Sequence, residues 1–167
     1  MANLIVVNRP YNTPDIVKTL TIYALDPNKT GYCCGGQGVL IEAPWRCMEV
    51  VKKYYGQNEG KMIQHFILSF DFTDNISLDE AVDLGYSVCG LYPDYQFVFG
   101  VHINTDNLHI HWVMNPVNLQ TGKKFNFNFT ESYELRNKVA GLLEPYGISC
   151  SLLFNHKDQT HSPYFIS

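Results

Sequence analysis

The chain has 167 residues, 46% of them hydrophobic, and a formal net charge of −4 at pH 7. This length and composition predict one folded domain with its own core and exclude a disordered tail. The sequence contains no apolar run of about 18 residues and no signal-peptide pattern at its start, so we expect a cytoplasmic protein without membrane insertion.

The predicted elements alternate between strands and helices along the chain. Strands are predicted at residues 3–8, 39–41, 63–70, 95–103 and 108–114. Helices are predicted at residues 13–25, 44–55, 77–91 and 131–143, with Thr13, Ser77 and Thr130 among the expected N-caps. A glycine-rich, irregular loop is expected at residues 29–38. The combination of a hairpin with helices predicts an α+β fold in which helices pack on a central antiparallel sheet.

Charge and cysteine content narrow the classes of function. A negative net charge counts against simple electrostatic nucleic-acid binding, because DNA-binding proteins usually carry a basic surplus. Basic residues are nevertheless concentrated before Met62 and recur at Lys123 and Lys124, so a local basic patch stays open. The five cysteines are odd in number and form no C-x-x-C, which argues against a disulfide framework and a cysteine zinc site.

Three histidines lie on the two strands that flank the turn predicted at residues 104–107. If this turn closes the hairpin, His102 lies directly opposite His109. His111 shares their face, because side chains two residues apart on a strand point the same way. Directly opposed side chains are about 5 Å apart at Cβ, a spacing that suits one metal ion. The prediction depends on register, since a shift of one residue would scatter the cluster.

The histidine cluster predicts a metal site of catalytic type. Imidazole ligands suit zinc, copper, iron or manganese. Three protein ligands leave coordination positions open for water or substrate, which is typical of catalytic sites. The alternative interpretation is a group of ordinary half-buried or surface histidines.

The segment around the histidines resembles the third motif of relaxases, the mobilisation nucleases of conjugative plasmids and integrative elements. Residues 100–125 read GVHINTDNLHIHWVMNPVNLQTGKKF. The motif has one histidine, a short turn, H-I-H, an asparagine and then T-G-K. The matching positions are His102, His109, His111, Asn115, Thr121, Gly122 and Lys123. The chain is therefore similar to the MOB-P-like relaxases of the HUH endonuclease superfamily.

Two other stretches extend the resemblance to roughly residues 3–147. Residues 21–30, TIYALDPNKT, are similar to the first motif, a helix that ends in a tyrosine before an N-P-x-K-T-like turn; here Asp26 stands where asparagine is common. Residues 64–70, QHFILSF, resemble the second motif, a strand that carries a histidine and ends in Ser-Phe. A glutamate usually follows that strand closely, and the acid that stands at that place here is Asp74.

The resemblance implies a site- and strand-specific relaxase that nicks single-stranded DNA at an origin of transfer, for conjugation or mobilisation. Tyr23 takes the place of the nucleophile, with Tyr32 and then Tyr11 as alternatives. The three histidines would hold a divalent metal, Mn or Mg, with Zn also compatible. Attack would give a 5′-phosphotyrosyl intermediate and a free 3′-hydroxyl, and the reverse reaction would rejoin the strand.

Further roles follow for neighbouring residues. His65 and Asp74 are candidates for a general base or for a group that orients a metal ligand, although a core histidine is an equal interpretation of His65. The candidate DNA contacts are Lys29, Asn115, Lys123 and Lys124. Aromatic side chains that could stack on bases are Tyr11, Trp45, Trp112 and Phe125. The expected partners are single-stranded DNA of an origin of transfer, accessory relaxosome proteins and a coupling protein.

Other functions stay open. A rolling-circle replication initiator or a single-strand transposase of the same superfamily typically carries two histidine ligands, and its tyrosine usually follows the histidine motif, whereas Tyr23 precedes it. A metal-dependent hydrolase of a small substrate would suit the acidic net charge. A DNA-binding module without activity is a further alternative. We expect residues 1–167 to form a single relaxase catalytic domain, compatible with the N-terminal part of a longer protein.

Overall fold

Six strands form one sheet in the computed structural model, which describes residues 1–156 of the chain. The strands are β1 (Ala2–Asn8), β2 (Cys34–Gln37), β3 (Gln64–Ser69), β4 (Phe97–His102), β5 (His109–Met114) and β6 (Cys150–His156). The helices are α1 (Ile16–Leu25), α2 (Pro27–Thr30), α3 (Pro44–Tyr54), α4 (Leu78–Gly90) and α5 (Phe129–Leu143), and a 3-10 turn follows at Glu144–Tyr146.

The strand order is β2-β4-β5-β3-β1-β6. The hairpin of β4 and β5 therefore lies inside the sheet, as predicted for the strands that carry the histidines. Neighbouring strands are antiparallel from β2 to β1. At the far edge β6 runs parallel to β1, which the expectation of an antiparallel sheet did not include. The α+β class with a central antiparallel region is confirmed.

The two faces of the sheet bury different cores. On β4 the side chains of Phe97, Phe99 and Val101 pack in a cluster that α4 and α5 cover. The alternate residues of β4 face α1 and α3, whose buried side chains form the second cluster. The histidines share this second face, so the site lies under α1.

The glycine-rich segment is more regular than predicted. Instead of an irregular loop at 29–38 and a strand at 39–41, the chain forms α2 and then the edge strand β2, and residues 39–41 lie outside any strand. A Cβ added at Gly35 would come within 2.4 Å of the Tyr86 hydroxyl. Glycine therefore allows α4 to cover β2 closely, and this contact cannot be read from local sequence.

Helix starts differ in two cases from the predicted caps. Ser77 caps α4 in a complete capping box with Glu80, as expected. Asn128 caps α5 in place of Thr130, because its side chain accepts the Glu131 amide. Helix α1 has Asp15 at its N-cap position instead of Thr13. Within residues 1–156, no helix has both the length and the apolar character needed to cross a bilayer.

Candidate metal centre and its tyrosine

His102, His109 and His111 converge as the hairpin register predicted. His102 is the register partner of His109, and the three ligand nitrogens lie within 4.8 Å of one another. Only 1%, 4% and 0% of the respective residue surfaces are exposed. We call these three histidines the triad.

Each ring of the triad is oriented by a hydrogen bond. His102 Nε2 donates to the Ala24 carbonyl at 3.0 Å, and His109 Nδ1 donates to the Asn107 carbonyl at 2.9 Å. His111 Nδ1 shares a hydrogen bond with His65 Nε2 at 3.0 Å. Metal-binding histidines are commonly fixed in this way through the nitrogen that does not bind the metal.

Burial keeps the triad in the neutral form that metal ligation requires. It lowers the pKa of His102 to about 4, and it also lowers the pKa values of His109 and His111. The Lys29 ammonium adds to the lowering of all three pKa values. Each imidazole is therefore neutral at physiological pH, with one N–H and one nitrogen whose lone pair can bind a metal.

His111 Nε2 is the atom that best tests whether a metal fits the triad. Its Nε2 atom is buried and has no hydrogen-bond partner among the described residues. Leaving a buried polar atom unsatisfied costs about 1–3 kcal/mol, and a metal bond would remove this penalty. The convergence, neutrality and orphaned nitrogen of the triad fit a divalent metal, and several metals accept such ligands.

Tyr23 lies over the triad from the C-terminal turn of α1. Its ring centroid is 5.3 Å from those of both His102 and His111, in edge-to-face geometry. Lys29 Nζ lies 5.3 Å from the Tyr23 ring centroid. Burial raises the pKa of Tyr23 to about 12, so its hydroxyl is protonated at neutral pH.

Gly100 permits this arrangement. It is the register partner of His111 on β4, and a Cβ added there would come within 1.8 Å of the Ala24 carbonyl oxygen. A glycine in the middle of a buried strand is a recognisable sign of close backbone approach. Here it allows the end of α1 to reach the sheet, where Ala24 orients His102 and Tyr23 covers the triad.

Of the two candidates for a base or an orienting group, the structure brings only one to the triad. His65 is fully buried between Tyr11 and His111, and burial lowers its pKa to about 3. Asp74 instead accepts hydrogen bonds from the Met1 ammonium at 2.9 Å and from the Asp71 amide at 2.8 Å.

The candidate DNA contacts fall in different environments. Asn115 is fully buried, where it accepts from Lys52 and donates to Gln96, so its position argues against a direct DNA contact. Lys29 is only 5% exposed and lies beside Tyr23. Lys123 is exposed, whereas half-buried Lys124 donates to the Glu59 carbonyl.

The alternative nucleophiles and the candidate stacking residues also differ in exposure to solvent. Tyr32 is 80% exposed with φ +68°, and Tyr11 is buried beside His65. Trp112 is fully buried, and Phe125 packs against the core under α4 and α5. Trp45 keeps a partly accessible ring with Lys18 Nζ 5.3 Å from its centroid.

Comparisons with known proteins agree with these features. The family model described as relaxase, MobA/VirD2-like, nuclease domain matches residues 23–148, a range that includes Tyr23 and the triad. The Rlx protein of Staphylococcus aureus is 29% identical over 89 residues, which are 53% of this chain and 27% of that protein. The MobA protein of Acidithiobacillus ferrooxidans is 32% identical over 85 residues, 49% of this chain and 20% of that protein.

A further relative and a solved structure complete the comparison. The group II intron-interrupted relaxase LtrB of Lactococcus lactis is 29% identical over 73 residues, 42% of this chain and 13% of that protein. A solved structure concerning the molecular basis of vancomycin resistance transfer in Staphylococcus aureus has a similar fold. It shares 14% identity with a TM-score of 0.50, covering 71% of this chain and 73% of that one. Thus the chain matches about a quarter or less of each of these three curated relatives.

Proposed function

Because this chain belongs to the relaxase family with a MobA/VirD2-like nuclease domain, we propose that it nicks and rejoins single-stranded DNA through Tyr23. The nick is specific for site and strand and lies at an origin of transfer. The phenol oxygen attacks the scissile phosphorus, the bond to the 3′ oxygen breaks, the phenol proton ends on that oxygen as a 3′-hydroxyl, and the 5′ phosphate stays joined to Tyr23. Since the ester is conserved, the free 3′-hydroxyl can attack in turn and rejoin the strand.

The observation that carries this proposal is the contact between Tyr23 and the triad. The Tyr23 ring contacts two of the three candidate ligands, with centroids 5.3 Å from those of His102 and His111. The triad would hold a divalent cation, Mn or Mg with Zn also compatible, whose positive charge would bind the phosphate and stabilise the transition state. Tyr23 would then lie beside a phosphate bound at the triad, because its ring contacts two of the three histidines.

Two features of the chain act on the Tyr23 hydroxyl in opposite directions. Burial disfavours the charged form of Tyr23, which would slow its attack. The Lys29 ammonium lies 5.3 Å from the ring centroid, and a positive charge this close would favour the phenolate that develops during attack. Ala24 fixes His102 from the residue next to Tyr23, so ligand and nucleophile are positioned by the same turn of α1.

We assign the chain to the nicking step of conjugative transfer or mobilisation, as a catalytic domain acting in the cytoplasm. Its substrate is single-stranded DNA of an origin of transfer. Accessory relaxosome proteins and a coupling protein are the proposed partners. Exposed Lys123 and the partly accessible Trp45 are the proposed contacts to the strand beyond the scissile phosphate.

A covalent-adduct assay tests the proposal. The protein is incubated with manganese and labelled oligonucleotides that cover the origin of its native element, then denatured and separated. We expect an adduct with the wild type and with Tyr32→Phe, and none with Tyr23→Phe. His109→Ala should weaken metal binding measured by calorimetry. Absence of an adduct on every oligonucleotide would refute the proposal, and loss of the adduct in Tyr32→Phe alone would reassign the nucleophile.

A further inference from the structure

Three buried side chains form a row that leads away from the metal centre. His111 Nδ1 is 3.0 Å from His65 Nε2, and His65 Nδ1 is 3.1 Å from the Tyr11 hydroxyl. The two imidazole rings meet edge to edge, with centroids 5.2 Å apart and planes inclined by 24°, as a hydrogen bond between ring nitrogens requires. His65 thus uses both of its ring nitrogens between Tyr11 and His111.

Tyr11 is held in place by its backbone. Its φ of +41° lies in the left-handed region, which residues with a side chain seldom occupy. Its carbonyl accepts the Met62 amide at 2.8 Å, which ties the segment to the start of β3. Only 7% of Tyr11 is exposed. This uncommon conformation directs the phenol under His65.

The direction of the hydrogen bonds follows from metal ligation. Both imidazoles are fully buried, so each is neutral and carries one N–H and one bare nitrogen. If His111 gives its orphaned Nε2 to a metal, its proton must be on Nδ1, and His65 Nε2 must accept it. His65 then carries its proton on Nδ1 and donates to the Tyr11 oxygen. The opposite direction would place the proton on His111 Nε2 and block ligation.

We propose that Tyr11 and His65 are positioning residues that select the metal-binding tautomer of His111. The inference rests on the metal site of the proposed function. Their pairing does what a carboxylate commonly does behind a metal-bound histidine. It differs in being neutral, so it orients the ligand without offsetting the positive charge at the metal. In this chain Asp74, the acid predicted for that role, is paired with Met1.

Metal affinity distinguishes this role from simple packing. Calorimetric titration with Zn²⁺ or Mn²⁺ is compared for the wild type, His65→Leu, His65→Gln and Tyr11→Phe. Removal of the acceptor in His65→Leu should weaken binding by about 10- to 100-fold, as loss of an orienting partner does. His65→Gln keeps an acceptor oxygen and should lose only a few-fold, and Tyr11→Phe should also lose several-fold. Tyr92→Phe is the matched control, a tyrosine equally buried at 7% on the other face, and should bind as the wild type does.

Nitrogen NMR reports the tautomer directly. In the zinc-loaded protein, the ¹⁵N shifts of His65 should show the proton on Nδ1. A proton on Nε2 in that state, or equal zinc affinity of His65→Leu and the wild type, would overturn the inference. If the wild type itself binds no metal, the proposed function fails instead. Should His65→Leu not fold, as judged by circular dichroism, the comparison of Tyr11→Phe with Tyr92→Phe and the zinc-loaded spectrum decide the question.

Discussion

Gly100→Ala tests whether the close approach of α1 sets the geometry of the site. The added methyl would lie 1.8 Å from the Ala24 carbonyl oxygen, 2.9 Å from its carbonyl carbon and 3.0 Å from Thr30 Cγ2. Two of these atoms are main chain, so no side-chain rotation relieves the clash. The end of α1 must therefore retreat by about 1.2 Å to restore even a 3.0 Å contact with the oxygen.

The retreat has two calculable effects. Overpacking of this kind costs about 1–3 kcal/mol, which lowers the melting temperature of a domain this size by roughly 2–12 °C. The bond from His102 to Ala24 would lengthen from 3.0 Å to beyond hydrogen-bonding range, and Tyr23 would move with the helix. A misplacement of about 1 Å costs on the order of 100-fold in rate. We expect nicking to fall by about that factor.

The assay combines single-turnover nicking with thermal unfolding. Gly141→Ala is the control, because a Cβ added at Gly141 within α5 meets nothing within 4 Å. That variant should gain up to about 1 kcal/mol through helix propensity and keep its nicking rate. Wild-type nicking and an unchanged melting temperature in Gly100→Ala would refute the argument that this glycine positions Tyr23.

Three further predictions concern single side chains. Trp45 fluorescence should be quenched by single-stranded DNA, and the quenching should persist in Trp112→Phe, which leaves Trp45 as the only tryptophan; no quenching would exclude stacking there. Lys29→Met should slow nicking by about 10-fold, equivalent to about 1.4 kcal/mol, without weakening metal binding, because a cation beside Tyr23 is lost and no ligand is; an unchanged rate would contradict the role given to Lys29. Burial lowers the pKa of Lys52 from 10.5 to about 7. Between pH 7 and pH 10.5 the unfolded chain therefore holds a proton on Lys52 that the folded chain does not. The free energy of unfolding should rise with pH across this range. Denaturant unfolding at pH 7 to 9 should show this rise, at most about 1.4 kcal/mol per pH unit, and Lys52→Met should reduce it; equal slopes in both proteins would refute it.

The triad was predictable because its geometry depends on local rules. Alternation along a strand and the closing turn at residues 104–107 determine which side chains share a face, and the observed pairing of His102 with His109 confirms that register. The α+β class followed from the same periodicities. Tyr23 could be selected from eleven tyrosines only through the motif around it, since its periodicity is that of a packed helix residue.

The surroundings of the site depend on contacts between distant parts of the chain. In sequence, Asn115 resembles a turn residue beside Pro116. In the structure it is buried and accepts a hydrogen bond from Lys52 of α3, which lies 63 positions away in sequence. Lys29 was a candidate DNA contact, but α2 places it against the Tyr23 ring. No local sequence pattern predicts the ion pair between Asp74 and the amino terminus. Such details require the tertiary structure because they depend on which elements become neighbours.

The separation of Ala24 from His102 by 78 positions has a practical consequence for work with the purified protein. All three candidate ligands lie within residues 102–111 on one hairpin, whereas the proposed nucleophile lies on a helix that is distant in sequence. Molecules in which α1 has not docked can therefore retain the ligand set while lacking a positioned Tyr23. Metal content will overestimate the active fraction of a preparation, and titration of reactive sites with a cleavable oligonucleotide is the better measure of enzyme concentration.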